Sequence, residues 1–147
     1  MTTQIRPVET PAVTPESMSG VIRSGKRLGL RVLVVDDNRD AADSLADLLR
    51  LRGAEVRVYY DGRTALAAFA EFEPDAGLFD VNMPGMDGCE LAARLRTLAG
   101  DKPLFLAAIT AVDGPEEAMR EARAGFDLHL TKPADPARVV AALAAFG

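Results

Sequence analysis

The sequence predicts an α/β fold in which five βα units wind one parallel sheet with helices on both faces. Three observations predict it. Short runs of consecutive apolar residues recur along the chain, as expected of strands buried on both sides. Between them lie stretches with apolar residues at helical spacing. Gly, Pro, Asn and Asp punctuate the joins, so the connections are short and the units stack as a doubly wound, three-layer αβα sandwich.

Arg31-Val32-Leu33-Val34-Val35-Asp36 is a continuous apolar run ending in acid, the mark of a central strand. Asn38 is placed to cap the helix after it, where Ala42, Leu45 and Leu49 recur, and Gly53 ends that helix behind Arg50 and Arg52. Ala54 to Tyr59 alternates and predicts an edge strand. Asp61 then starts a helix carrying Ala65, Leu66, Phe69 and Phe72 that Pro74 stops. Ala76 to Asp80 predicts the third strand, followed by a turn-rich loop and a helix with Leu91, Leu95 and Leu98. Leu104 to Ile109 is a fourth strand delivering Thr110 to its end. Pro115 opens the next helix, with Glu116 and Glu117 favouring its dipole, and that helix runs to Gly125. Phe126 to Leu130 predicts a short fifth strand ending at Thr131-Lys132-Pro133. Asp135-Pro136 caps a last helix with Val139, Val140, Leu143 and Phe146.

Composition narrows the function. The 147 residues support one domain with a proper core, and 48% apolar with 27% charged residues is ordinary for a globular protein. A net charge of −5 argues against a nucleic-acid partner. No apolar run approaches the roughly 20 residues of a membrane span, and the N-terminus lacks a signal peptide's pattern. A single cysteine, Cys89, excludes an internal disulfide and fits a cytoplasmic location; with one His it excludes a Cys/His zinc cage as well. Residues 1–29 hold Pro7, Pro11 and Pro15 among small polar residues, and are expected to form a flexible tail or linker ahead of a domain at 30–147. Arg23, Lys26 and Arg27 offer a candidate docking patch there.

Four strand ends carry chemistry. Asp36 and Asp37 end the first, Asp80 the third and Thr110 the fourth, while Lys132 follows the fifth. Right-handed crossovers bring these ends to one edge of the sheet, where ligands of open α/β sheets bind. Taken singly, Thr110 reads as a helix cap and Lys132 as a solvated loop lysine. Together they make three carboxylates, one hydroxyl and one ammonium at one edge, which points to a divalent-cation site beside a phosphoryl site. Mg²⁺ takes oxygen ligands and is held by one or two carboxylates plus phosphate and water. Asp80 is then the candidate nucleophile, forming an aspartyl phosphate, with Thr110 and Lys132 holding the phosphoryl oxygens.

From about Leu30 to Phe146 the chain resembles the receiver domain of two-component response regulators. The marks are the Asp36-Asp37 pair, D-x-x-M-P-G-M-D-G beginning at Asp80, Thr110 followed by Ala111, and Lys132-Pro133. The resemblance implies the flavodoxin-like strand order 2-1-3-4-5. It implies Mg²⁺ contacts from Asp37, Asp80 and the Asn82 carbonyl, Asp36 acting through water, and a cis Lys132–Pro133 bond. It also implies phosphate arriving on Asp80 from a histidine kinase or histidine phosphotransfer protein, with no catalysis beyond the chain's own phosphorylation and dephosphorylation. Side chains at Asn82 and Val112 are expected to border the hydrolytic water.

The only histidine, His129, lies in the fifth strand, so the chain is not itself the kinase. The sequence stops after the last helix with no DNA-binding or catalytic output domain, and the expected output is a binding surface or onward relay. The Gly125–Pro133 stretch is most similar to receivers of hybrid kinases, which keeps an intramolecular relay as the alternative. A haloacid-dehalogenase-like phosphatase needs a second acid two residues after its nucleophile, and Asn82 stands there. The family's switch position three before Lys132 usually holds Tyr or Phe. Here His129 occupies it, and phosphorylation is expected to favour an inward, neutral imidazole in the activated form, because burying imidazolium without a partner is costly; the alternative is a ring that stays on the outer face as part of a docking surface.

Overall fold

The computed structural model describes residues 27–147. Its elements follow in strict alternation: β1 (Arg31–Val35), α1 (Arg39–Leu51), β2 (Glu55–Tyr59), α2 (Gly62–Phe72), β3 (Ala76–Asp80), α3 (Gly88–Ala99), β4 (Phe105–Thr110), α4 (Pro115–Ala124), β5 (Leu128–Thr131) and α5 (Pro136–Phe146). All strand pairs are parallel, in the order β2-β1-β3-β4-β5.

Burial explains the apolar runs. β1, β3 and β4 sit inside the sheet and are covered on both faces, so β3 is buried at every position. The edge strands β2 and β5 are only partly covered. One face of the sheet packs Leu33, Val35, Phe79 and Leu106 against Phe69 and Phe72 of α2 and Leu91 and Leu95 of α3. The other packs Val32, Val34, Leu78 and Ile109 against Ala42 and Leu49 of α1 and Val139 and Leu143 of α5. Each such leucine or valine contributes about 1.5–3 kcal/mol by leaving water.

The anticipated caps are in place. The side chains of Asn38, Asp61 and Asp135 accept backbone N–H bonds at the starts of α1, α2 and α5, and Asp87, not read as a cap from the sequence, does the same for α3. The Lys132–Pro133 bond is cis. No helix of the described residues is long and apolar enough to cross a membrane.

Three details differ from expectation. Leu28 falls in the stretch expected to be tail, yet it is buried in the α1–α5 side of the core and its N–H donates to the Arg52 carbonyl at 2.9 Å. Its apolar partners come from distant elements, which no local pattern reveals. Leu98 keeps helical spacing with Leu95 but is 60% exposed, because the seam of α3 runs from Ala92 and Leu95 to Ala99, which packs on the core instead. β5 starts at Leu128 rather than Phe126, whose ring instead packs edge-to-face on Phe79 with centroids 6.1 Å apart. Arg23 and Lys26 of the candidate docking patch lie outside the described residues.

Candidate functional site

The carboxyl ends of the strands are locked together by their own ladder. Asp80 is in register with Ile109, Thr110 with Thr131, and the Lys132 N–H donates to the Thr110 carbonyl at 2.8 Å. The predicted residues therefore meet at one edge.

Asp36, Asp37 and Asp80 each offer a carboxylate oxygen, and these atoms lie within 4.8 Å of one another. Asp36 and Asp80 are buried, whereas Asp37 faces solvent. The ammonium of Lys132 reaches both buried acids, at 3.3 Å from Asp36 and 3.4 Å from Asp80. Backbone N–H groups steady the same carboxylates, Asn38 donating to Asp36 at 2.9 Å and Asn82 to Asp80 at 3.2 Å. Thr110 is fully buried, and its Oγ1 accepts from the Asn82 side-chain amide at 3.2 Å and from the Val112 N–H at 3.0 Å. With both lone pairs engaged, the hydroxyl's remaining capacity is to donate its proton.

Three carboxylates face one ammonium, and the imbalance is visible in Asp80. Burial pushes its acid up to about 7, the charge of Asp36 adds to that, and Lys132 offsets only part. Burial pulls the Lys132 ammonium down, but Asp36 and Asp80 outweigh it and the net displacement is upward. A hard divalent cation fits a donor set of this kind, since oxygen ligands with surplus negative charge are what Mg²⁺ takes.

The surplus charge has a measurable consequence without metal. Asp80 titrates in the folded chain near 7, above the ordinary 3.8, so between those values the folded state holds a proton that the unfolded state has released. Stability should therefore fall as pH rises from about 4 to about 7 and flatten above, with a ceiling of about 4 kcal/mol that water at the sheet edge reduces. Denaturant titrations in chelator at several pH values check this. Asp80→Asn should lose that part of the slope, and an unchanged slope would contradict the charge imbalance.

Gly88 lets α3 start against the site. A Cβ there would stand 2.5 Å from the Asp80 carbonyl oxygen and 2.9 Å from Val81 Cα, both backbone. Gly88→Ala must push the helix or the strand end aside. It should cost more than about 2 kcal/mol in a urea melt, against a gain of about 1 kcal/mol for the same change at an open helix site.

His129 has partners that its own strand does not reveal. Its side chain is one-quarter exposed, but the imidazole is not without a partner. Nδ1 lies 2.5 Å from Oε1 of Glu121, which is buried on α4, and Nε2 lies 3.5 Å from Asp113. Glu121 was not marked by the sequence. Its only local signal was the i, i+4 spacing from Glu117 on a helix whose other acids serve the dipole.

The family model of the response regulator receiver domain matches residues 32–144. The chain belongs to that family. Among curated proteins, this receiver is 40% identical over 104 residues to response regulator MprA of Mycolicibacterium vanbaalenii, covering 71% of this chain and 44% of that one. It is 41% identical over 111 residues to transcriptional regulatory protein PrrA of Mycobacterium tuberculosis, covering 76% and 47%. It thus spans about half the length of these relatives. Among solved structures, chemotaxis protein CheY4 of Vibrio cholerae superposes with a TM-score of 0.74 at 30% identity, over 80% of this receiver and 98% of that chain. The receiver domain of Francisella response regulator 1452 gives 0.73 at 26%, over 80% and 95%.

Proposed function

We propose that this receiver takes a phosphoryl group onto Asp80 from a histidine kinase or histidine phosphotransfer protein, and signals through a surface that changes when it does. The observation that carries this is the Lys132 ammonium bridging the two buried acids Asp36 and Asp80 at the sheet's carboxyl edge. Oδ of Asp80 attacks phosphorus, the P–N bond to the donor imidazole breaks, and an acyl phosphate remains on Asp80. Lys132 and the Thr110 hydroxyl neutralise and orient the phosphoryl oxygens. Asp36, Asp37, Asp80 and the Asn82 carbonyl would hold Mg²⁺, which supplies charge neutralisation of the phosphoryl group. The chain acts on no separate substrate.

The direct experiment incubates the chain with each candidate kinase from the same genome, with Mg²⁺ and with chelator. Rapid labelling by one kinase in Mg²⁺ alone supports the proposal. No labelling by any kinase or by acetyl phosphate would refute it.

Lifetime follows from the side chains bordering Asp80. Val112 is half-exposed and brings no polar atom on its side chain to hold a hydrolytic water. Val112→Gln should therefore shorten the phosphate's half-life, by about threefold to tenfold if one hydrogen bond to that water is gained. A slower decay in that variant would contradict this view of Val112.

A further inference from the structure

Beside the acidic cluster, on the β5 side of the sheet, α4 carries acids on the side it turns to β5. Glu117 and Glu121 stand i, i+4 on that helix, and each has a buried oxygen, Oε2, with no hydrogen-bond partner among the described residues. Glu121 is 1% exposed. Its other oxygen meets Nδ1 of His129 on β5. Other groups complete the surroundings. Asp113 from the β4–α4 loop stands 3.5 Å from His129 Nε2, and the Thr131 hydroxyl lies at 3.5 Å from the same nitrogen. Arg120 Nη1 on α4 stands 3.5 Å from that same Oε2 of Glu117, an ion-pair approach with no hydrogen bond, while its Nη2 is paired with Asp87 at the start of α3. The buried thiol of Cys89 sits beside these acids and is pushed up to about 11, first by burial, so it stays neutral.

Charge can be counted. Asp87, Asp113, Glu117 and Glu121 supply four carboxylates, and the one permanent cation among them is Arg120, largely committed to Asp87. Two carboxylates on one helix face repel, and a buried oxygen without a donor is costly. A proton held between the two glutamates removes both costs.

We propose that Glu117, Glu121 and His129 form a buried proton-binding site that fastens α4 to β5, so that α4 grips the sheet in mild acid and loosens as pH rises. Glu121 is displaced upward from the ordinary glutamate range, first by burial, with Glu117 adding to it and His129 opposing. A carboxyl raised on folding holds its proton in the folded state only, so its stabilising contribution is complete near and below the ordinary glutamate value and is lost as pH rises. The site shares no residue with the acidic cluster, and its NMR readout needs neither phosphate nor Mg²⁺.

The test follows the side-chain carboxyl carbon of Glu121 by NMR from pH 4 to pH 9 in chelator, with stability measured across the same range. The Glu121 signal should inflect above the ordinary glutamate range, and the ring signals of His129, the chain's only histidine, should report the same transition. Glu121→Gln should abolish that inflection in the ring signals and flatten the part of the stability slope that Asp80→Asn leaves. Should Glu121→Gln fold poorly, Glu117→Gln removes the repelling neighbour from a less buried position and should lower the Glu121 midpoint. A Glu121 carboxyl that titrates like a free glutamate, or a midpoint unmoved by Glu117→Gln, overturns the proposal.

Discussion

Asp80→Asn should lose phosphoryl labelling by more than about a hundredfold while the chain stays folded. The amide keeps the shape of the carboxylate but has no nucleophilic oxygen. Several features make the effect specific. Asp80 is the acid buried at the end of a central strand, and its backbone N–H neighbour, Asn82, fixes one of its oxygens at 3.2 Å. Asp36 is nearby but lies one residue past the end of β1, and Asp37 faces solvent. Removing the charge of Asp80 relieves repulsion with Asp36, so the variant should melt at the same or higher temperature than the parent in chelator. That pairing of outcomes separates loss of chemistry from loss of fold. Undiminished labelling of a well-folded Asp80→Asn chain would sink the assignment.

Lys132→Met is expected to have the second largest effect, and on two readouts at once. The methionine keeps most of the stem's packing but strips Asp36 and Asp80 of their bridging cation. Breaking a buried pair by removing one partner costs about 3–5 kcal/mol. Lys132 is 28% exposed, so solvent screening should reduce that to about 1–3 kcal/mol at neutral pH in chelator. The loss should shrink toward pH 5, where Asp80, pushed up to about 7, carries its proton and no longer needs the cation. Mg²⁺ should recover part of it, because a cation in the acidic cluster replaces the missing charge. Labelling should fall by about tenfold to a thousandfold, since a fixed positive group opposite the phosphoryl oxygens is gone. Equal destabilisation at pH 5 and pH 8 would mean that Lys132 acts through packing alone.

The fold was legible because each strand is a contiguous run and each turn uses residues that only turns favour. β3 was bounded at both ends by its own sequence, Pro74 before it and the Met83-Pro84-Gly85 loop after it. The site was legible for a related reason. Parallel strands deliver their last residues to one edge, so Asp36, Asp80, Thr110 and Lys132 needed only the topology to be brought together. What escaped notice depended on partners far apart in sequence. Leu28 is buried on the α1–α5 side of the core, and Leu98 is left exposed while Ala99 takes the place against the core, neither of which is written in the neighbouring residues. His129 was read from its own strand. Glu121, which lies against its ring, sits eight residues earlier on a helix read only for its dipole. Buried polar pairs of this kind are legible only when two elements are packed together.

The most direct measurement locates the phosphoryl group itself. The wild-type chain, labelled by its kinase or by acetyl phosphate in Mg²⁺, is treated with borohydride, which reduces an acyl phosphate of aspartate to homoserine, and then digested and sequenced by mass spectrometry. The structure predicts homoserine at Asp80 and nowhere else, with no conversion when Mg²⁺ is chelated. Homoserine at Asp36 or Asp37 with Asp80 intact, or a stable phosphate on a hydroxyl or on His129, would contradict the central claim.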